Sequence, residues 1–293
     1  MEIINFGRQV SPKRVYTLVK LVEKLGVSSR KEILDYLQPD SLVQDQTASK
    51  NAFKSAKILE LIADTENNDK KITLHPSIDN PSMLDGMDNF REVIQSRMLG
   101  VVEDNQDNYL FNLVMAWYAV KDDESVKFSK SELINTFNSE VFPQVENTVL
   151  EEGLRFNDTK LNAWLDWAAF LGFGFLYKDK LLPDAHRRIL PVIKRIDGER
   201  TPAGEFLEQI ALSCPELDGG KLYKYCWEAS RAGEQMGGQI SLMLSTALRK
   251  LKKMKVLDLI YLPDAERTIN LHKATGYGDN QISHIKIEAY NAI

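Results

Sequence analysis

Between Pro12 and Pro76 the chain spells out three short amphipathic helices followed by two strand-like segments around a polar turn, and few folds accommodate that order. Val15, Leu18, Val19, Val22 and Leu25 recur every three or four residues, the spacing of one buried helix face, and Gly26 ends the run. Ser29-Arg-Lys-Glu32 has the form of a capping box and opens a second helix carrying Ile33, Leu34 and Leu37, which Pro39 closes. A third helix is expected from about Ser49, with Ala52, Phe53, Ala56 and Leu59 on its buried side. Leu61 to Thr65 and Ile72 to His75 then read as strands flanking the polar stretch Glu66 to Lys71. This order predicts a winged helix, a fold that offers its third helix to a DNA major groove.

That third helix carries Lys50, Lys54 and Lys57 at i, i+4 and i+7, with Asn51 in the same first turn, and Lys70 and Lys71 stand at the wing tip. The arrangement suits phosphates. Lysines at this spacing are also common on helix faces that are simply solvated, and winged helices mediate protein contacts as well.

The same order of elements recurs. Ser129-Lys-Ser-Glu132 caps another helix bearing Leu133, Ile134 and Phe137, and an intervening helix is expected through Phe142, Val145, Val149 and Leu150. A strongly apolar helix with Trp164, Trp167, Ala168 and Leu171 follows and stops at Gly172, ahead of a hairpin with a Lys-Asp-Lys tip. A third unit begins at Thr201-Pro202. Its third helix places Ile240, Leu244, Ala247, Leu248, Leu251 and Met254 on one face, with Arg249 and Lys253 pointing most nearly away, flanked by Lys250 and Lys252. Leu182-Pro-Asp-Ala-His-Arg-Arg-Ile189 and Leu262-Pro-Asp-Ala-Glu-Arg-Thr-Ile269 agree at six of eight positions, which suggests a repeat. Its register is open, because Pro263 can itself be a wing turn with Thr268 to Leu271 as the returning strand. Ile282 to Tyr290 reads either as a pairing strand between copies or as a closing strand of the last unit.

The expected fold is therefore mainly α with small β-hairpin wings, an α+β chain of tandem winged-helix units joined by a helical connector. The boundaries are 1–80 for the first unit, 81–128 for the connector, 129–198 for the second unit and 199–293 for the third. The connector reads as two helices, with Phe90, Val93, Ile94 and Met98 on one and Leu110, Leu113, Val114 and Trp117 on the other. Its aromatic and Met content is that of a core.

Charge limits the partners. The formal net charge is −5, so indiscriminate coating of nucleic acid is not expected and any DNA contact must be local. Residues 81–150 hold 12 acidic and 5 basic groups, which makes the connector region a better surface for protein than for phosphate. No apolar run approaches the ~20 residues of a membrane span, and the start lacks a basic, then apolar, leader. The expectation is a soluble cytoplasmic protein without membrane contact. Cys214 and Cys226 give neither a disulfide framework nor zinc spacing.

Motifs for catalysis are lacking. There is no phosphate-binding glycine loop ending in Gly-Lys-Ser/Thr, no His-Glu-x-x-His and no Gly-x-Ser-x-Gly. His75, His186, His272 and His284 are scattered with no evident carboxylate partner, and each reads as a surface or wing residue. A nuclease-like pattern can be drawn from Pro39-Asp40 and Asp69-Lys70-Lys71, but metal-dependent cleavage needs its carboxylates on rigid elements, and these lie after a helix stop and in a polar turn. No catalytic residue, metal or cofactor is expected.

An N-terminal winged helix, an acidic helical middle and Asn162-Ala-Trp164-Leu-Asp-Trp167 running to Leu171-Gly172-Phe173 and Leu182-Pro183-Asp184 together resemble the DpdG-type proteins. Those belong to bacterial gene clusters that modify DNA with deazaguanine bases and restrict foreign DNA. The resemblance covers most of the chain and implies an accessory protein of a defence system, with no catalytic residues to carry over. The leading expectation is a non-catalytic DNA-binding or adaptor subunit whose partners are double-stranded DNA and other proteins of the same gene cluster. Its DNA-facing residues would be Lys50, Asn51, Lys54, Lys57, Lys70, Lys71, Arg249, Lys250, Lys252 and Lys253. The alternatives are a scaffolding subunit that clasps a partner chain and a transcription regulator; a homo-oligomer is left open.

Overall fold

The computed structural model describes residues 2–39, 41–42, 45–65, 71–103, 106–141, 155–196, 200–234, 236, 238–273 and 280–288. The chain is mainly helical with small antiparallel sheets, the α+β class expected. Helix α1 (Pro12–Leu25) buries Val15, Leu18, Val19 and Val22, and Ser11 caps its start. Gly26 ends it at φ 67°, a conformation that favours glycine, with its N–H on the Val22 carbonyl at 2.9 Å. Strand β1 (Ser28–Ser29), which periodicity gave no hint of, leads into α2 (Arg30–Leu37). There the Ser29 hydroxyl accepts the Glu32 N–H at 3.1 Å. Helix α3 (Thr47–Ile58) packs on α1 through Ala52, Phe53 and Ala56. Strands β2 (Ile62–Asp64) and β3 (Lys71–Leu74) form the hairpin, and β1 adds to it in the order β1-β3-β2.

Helices α4 (Gly86–Met98) and α5 (Tyr109–Val120) fill the expected connector, and every residue of α5 is buried. Asn108, just before α5, sits at φ 64° and does not cap it. The Glu2 carboxylate does so instead, accepting the N–H groups of Leu110 at 2.8 Å and Phe111 at 3.3 Å. This satisfies donors that a helix start otherwise leaves orphaned. Asn108 Oδ1 accepts the Ile3 N–H in return, at 3.1 Å. The N-terminal segment is thereby clasped to the middle of the chain, and a 3-10 turn at Ile3–Gln9 continues it across a later helix, as described next.

A short α6 (Asp122–Lys127) precedes α7 (Lys130–Glu140), whose capping box is complete: Ser129 and Glu132 each bond the other's backbone. The helix expected through Phe142, Val145, Val149 and Leu150 lies outside the described residues. Helix α8 (Asp158–Phe170) is held beneath the 3-10 turn, and the Trp167 indole N–H donates to the Val10 carbonyl at 3.0 Å. Gly172 stops it at φ 88°, where a Cβ would meet Arg187 Cβ at 2.6 Å. Strands β4 (Gly174–Tyr177) and β5 (Lys180–Pro183) pair only with each other among the described residues. Helix α9 (His186–Ile193) follows.

In the C-terminal part, β6 (Thr201–Pro202), α10 (Ala203–Ser213), α11 (Lys221–Ser230), α12 (Leu242–Lys253) and β7 (Leu257–Ile260) follow the order of the first unit. The returning strand is not Thr268 to Leu271. Ile269–Asn270 is β8, which pairs with β9 (Gln281–Ile282), and the chain returns to β7 through β10 (His284–Ile287). The sheet order β6-β10-β7 is that of β1-β3-β2. Of the two readings open for Ile282 to Tyr290, its described part therefore closes the last unit. The six-of-eight string is not a structural repeat: Leu182-Pro183 ends the second strand of one hairpin, whereas Leu262-Pro263 follows the first strand of another. Buried apolar side chains from Ile3 to Ile285 form one connected cluster across all the expected boundaries.

Candidate nucleic-acid interface

On α3, Lys50 and Lys54 are exposed. The Lys54 ammonium lies 5.5 Å from the Phe6 ring centre. Asn51 is half-buried and donates to Gln9 Oε1 at 2.6 Å, so it ties α3 to the N-terminal segment and offers little to a base edge. Lys57 is turned back toward the sheet, paired with Asp64 at 2.5 Å and set against the Phe53 ring. Lys71 is exposed on β3; Lys70, like Asp40 and Asp69 of the nuclease-like pattern, lies outside the described residues.

Two further exposed cations lie on the neighbouring helix. Lys13 and Arg14, both exposed in the first turn of α1, line a groove of about 350 Å³ with Thr17, Gln38, Ser49 and Ala52, the last two from the buried side of α3. Arg14 Nη1 also donates to the Gln9 carbonyl at 2.9 Å. A signal for them existed: cations in a first helical turn face the positive end of the helix dipole, so helix stability does not explain them. Just before α3, Asp45 accepts the Thr47 N–H at 2.8 Å. Hydrogen bonds from the Thr47 hydroxyl and N–H hold its carboxyl below the usual range, with a smaller contribution from Lys50.

The C-terminal cluster is different. Arg249 is buried, and its Nη1 donates to the His272 carbonyl at 2.8 Å, so the expectation that it points to solvent is overturned. The reason is the segment after β8, which lies over the helix face that an apolar stripe leaves free; His272 N–H bonds Ser245 Oγ at 2.8 Å on that same side. Lys252 pairs with Asp258 of β7 at 3.4 Å. Lys250 and Lys253 are exposed. The start of α12 is sealed by two carboxylates: Asp122 accepts the Leu242 N–H at 2.5 Å, and Asp218 accepts the Ser241 N–H and hydroxyl, each at 2.6 Å. Burial pushes both carboxyls up, Asp218 to about 6.

Two histidines do have carboxylate neighbours, against expectation: His186 Nδ1 is 2.8 Å from Asp184, and His272 Nε2 is 3.5 Å from Asp122. Sequence spacing gave no view of the second pair. Among the described residues no group of three or more His, Cys, Asp or Glu is arranged to hold a metal, and no helix is long and apolar enough to cross a membrane. Cys214 and Cys226 are both buried, and burial raises both thiols, Cys214 to about 12.

The exposed cations of the first unit thus lie on α1 and α3, with Gln9 of the N-terminal segment bonded to Arg14 of one and Asn51 of the other. A family model described as DpdG-like matches residues 1–265. The chain belongs to the DpdG-like family. The match covers the basic face, the clasped N-terminus and the sealed α12 alike. No curated protein matches, and neither does any solved structure.

Proposed function

We propose that this DpdG-like chain is a non-catalytic subunit that contacts double-stranded DNA through its first unit, a winged helix, and serves as an adaptor in a bacterial deazaguanine DNA-modification and defence system. Family membership supplies the link to deazaguanine modification. The observation that carries DNA contact is the exposure of Lys50 and Lys54 on α3, with exposed Lys13 and Arg14 on α1, the helix packed against it. Cations so placed neutralise backbone phosphates, and such contacts position a duplex without reading its sequence. The half-buried, hydrogen-bonded Asn51 fits that sequence-tolerant role. The remaining units act as scaffold, and other proteins of the same gene cluster are the partners to which DNA is joined.

The test is fluorescence anisotropy on a labelled duplex at 50 and 200 mM salt. Wild-type protein binds at low salt and weakens steeply at high salt, whereas Lys50→Glu/Lys54→Glu, with an unchanged melting temperature, loses binding by about tenfold or more. Absence of low-salt binding, or indifference to the double reversal, sinks the proposal.

A further inference from the structure

The β4–β5 hairpin presents Phe175, Leu176 and Tyr177 in succession to solvent, with Phe175 and Tyr177 each 56 % exposed. Its two turn residues, Lys178 and Asp179, both have positive φ, 48° and 61°. A tight hairpin turn of this kind ordinarily uses Asn-Gly, so neither residue is there for backbone ease. Asp179 is held from two sides, by Lys130 at 3.3 Å and by Arg8 at 3.9 Å. Lys178 reaches instead over the Tyr177 ring, 5.3 Å from its centre.

Below the tip lies a cavity of about 230 Å³ with an apolar floor that includes Phe128, Leu133 and Leu165, and a rim that includes Lys130 and Lys178. The Lys130 ammonium, shared with Asn162 Oδ1 at 3.1 Å, is fixed at that rim. Arg8 connects this place to the duplex face, since its carbonyl accepts from Arg14 at 3.3 Å and its neighbour Gln9 bonds Asn51 of α3. Cations thus follow one another along the N-terminal segment, from Lys54 beside Phe6 and Arg14 at the Arg8 carbonyl to Arg8 and Lys130, which share Asp179. Apolar ring-sized space and exposed aromatic faces bordered by cations match one chemistry, a flat base whose own strand carries phosphates.

We infer that the hairpin and the cavity beneath it receive unpaired bases of a DNA strand whose adjoining duplex lies on α1 and α3. The inference rests on the duplex contact proposed above and adds to it a preference for junctions between double- and single-stranded DNA. An aromatic side chain accepts any base by stacking, so the preference depends on structure and not on sequence.

Anisotropy on full-length protein with a blunt duplex, and with the same duplex carrying a single-stranded thymidine tail, tests it. The tailed duplex binds about tenfold tighter. Phe175→Ser/Tyr177→Ser, which alters only exposed side chains, abolishes that advantage and leaves blunt-duplex affinity within about twofold, and Lys178→Glu, made separately, reduces the advantage. Lys50→Glu/Lys54→Glu weakens both ligands by the same factor. Equal binding of tailed and blunt DNA by wild-type protein, or an advantage that survives the aromatic double substitution, overturns the inference while the duplex contact stands. Binding of neither DNA removes the duplex contact and this inference together.

Discussion

In the first unit, α3 keeps Lys50 and Lys54 in solvent; in the last, α12 has Met243, Leu244, Ser245, Ala247, Leu248, Arg249 and Leu251 all buried. Yet both precede a hairpin in sheets of the same strand order, β1-β3-β2 and β6-β10-β7. The difference comes from what lies outside the shared plan. Around α3 the added material is the N-terminal segment, which braces one side and leaves Lys50 and Lys54 exposed. Around α12, the stretch from β8 to His272 covers the far face, while Asp122 and Asp218 occupy the donors at its start. A helix start at which the Ser241 and Leu242 N–H groups already bond carboxylates has fewer donors left for a phosphate. Common topology therefore does not carry a common surface.

The largest test of this contrast is one charge reversal made in each helix. Arg249→Glu places a carboxylate where a buried guanidinium meets the His272 carbonyl, and should cost more than about 3 kcal/mol, read as a drop in urea midpoint. Lys54→Glu should stay within about 0.5 kcal/mol while weakening DNA binding. If Arg249→Glu is as stable as Lys54→Glu, the covered face of α12 is wrong. Next in size is a pH effect at the sealed helix start. Asp218 is raised from 3.8 to about 6, so the folded state holds its proton more tightly than the unfolded state does. Its contribution to stability is full below pH 3.8 and is lost as pH rises through 6, on the order of 3 kcal/mol in total. Glu2, raised to about 7 by burial, acts with the same sign from the other end of the core. Urea unfolding at pH 5 and pH 8 should show a smaller fall for Asp218→Asn than for wild type. An identical fall in both would exclude Asp218 as a titrating group.

The elements whose information is local were legible in advance. Helix α1 with its Gly26 stop, the Ser129 capping box, the Gly172 stop and both helices of the connector follow from spacing and caps alone. What escaped depends on residues far apart in the chain. The partner of β7 is β10, and Thr268 to Leu271, β-branched and nearer, was the more plausible strand until pairing with β9 claimed it. Arg249 was assigned to solvent because a helical wheel distinguishes an apolar face from the rest and says nothing about what covers the rest. Of the candidate residues, Lys50 and Lys54 are exposed, Asn51 and Lys57 are engaged within the fold, and Lys13 and Arg14 leave no mark on the spacing of α3 because they sit on another helix. A site formed between helices shows in sequence only as an oddity on each.

Salt dependence distinguishes the two basic faces at smaller amplitude. Replacing Lys50 and Lys54 with Ala should lower the slope of log affinity against log salt by about 2, one per phosphate contact, whereas Lys250→Ala/Lys253→Ala should leave it unchanged. Equal loss from both pairs would mean that the sealed unit also touches DNA. The smallest effect is at Asp45, whose carboxylate stands just before α3 and close enough to Lys50 for their charges to interact. Asn in its place keeps an oxygen for the Thr47 N–H, so the helix start survives, but one negative charge leaves the face presented to phosphate. Asp45→Asn should therefore tighten duplex binding by up to about twofold at 50 mM salt, and the gain should vanish at 200 mM as screening shortens the reach of that charge. Because the substitution adds no contact, a gain that disappears with salt reports the field at the start of α3 directly. A loss of affinity, or none of the expected gain at low salt, would place the phosphates elsewhere on the first unit.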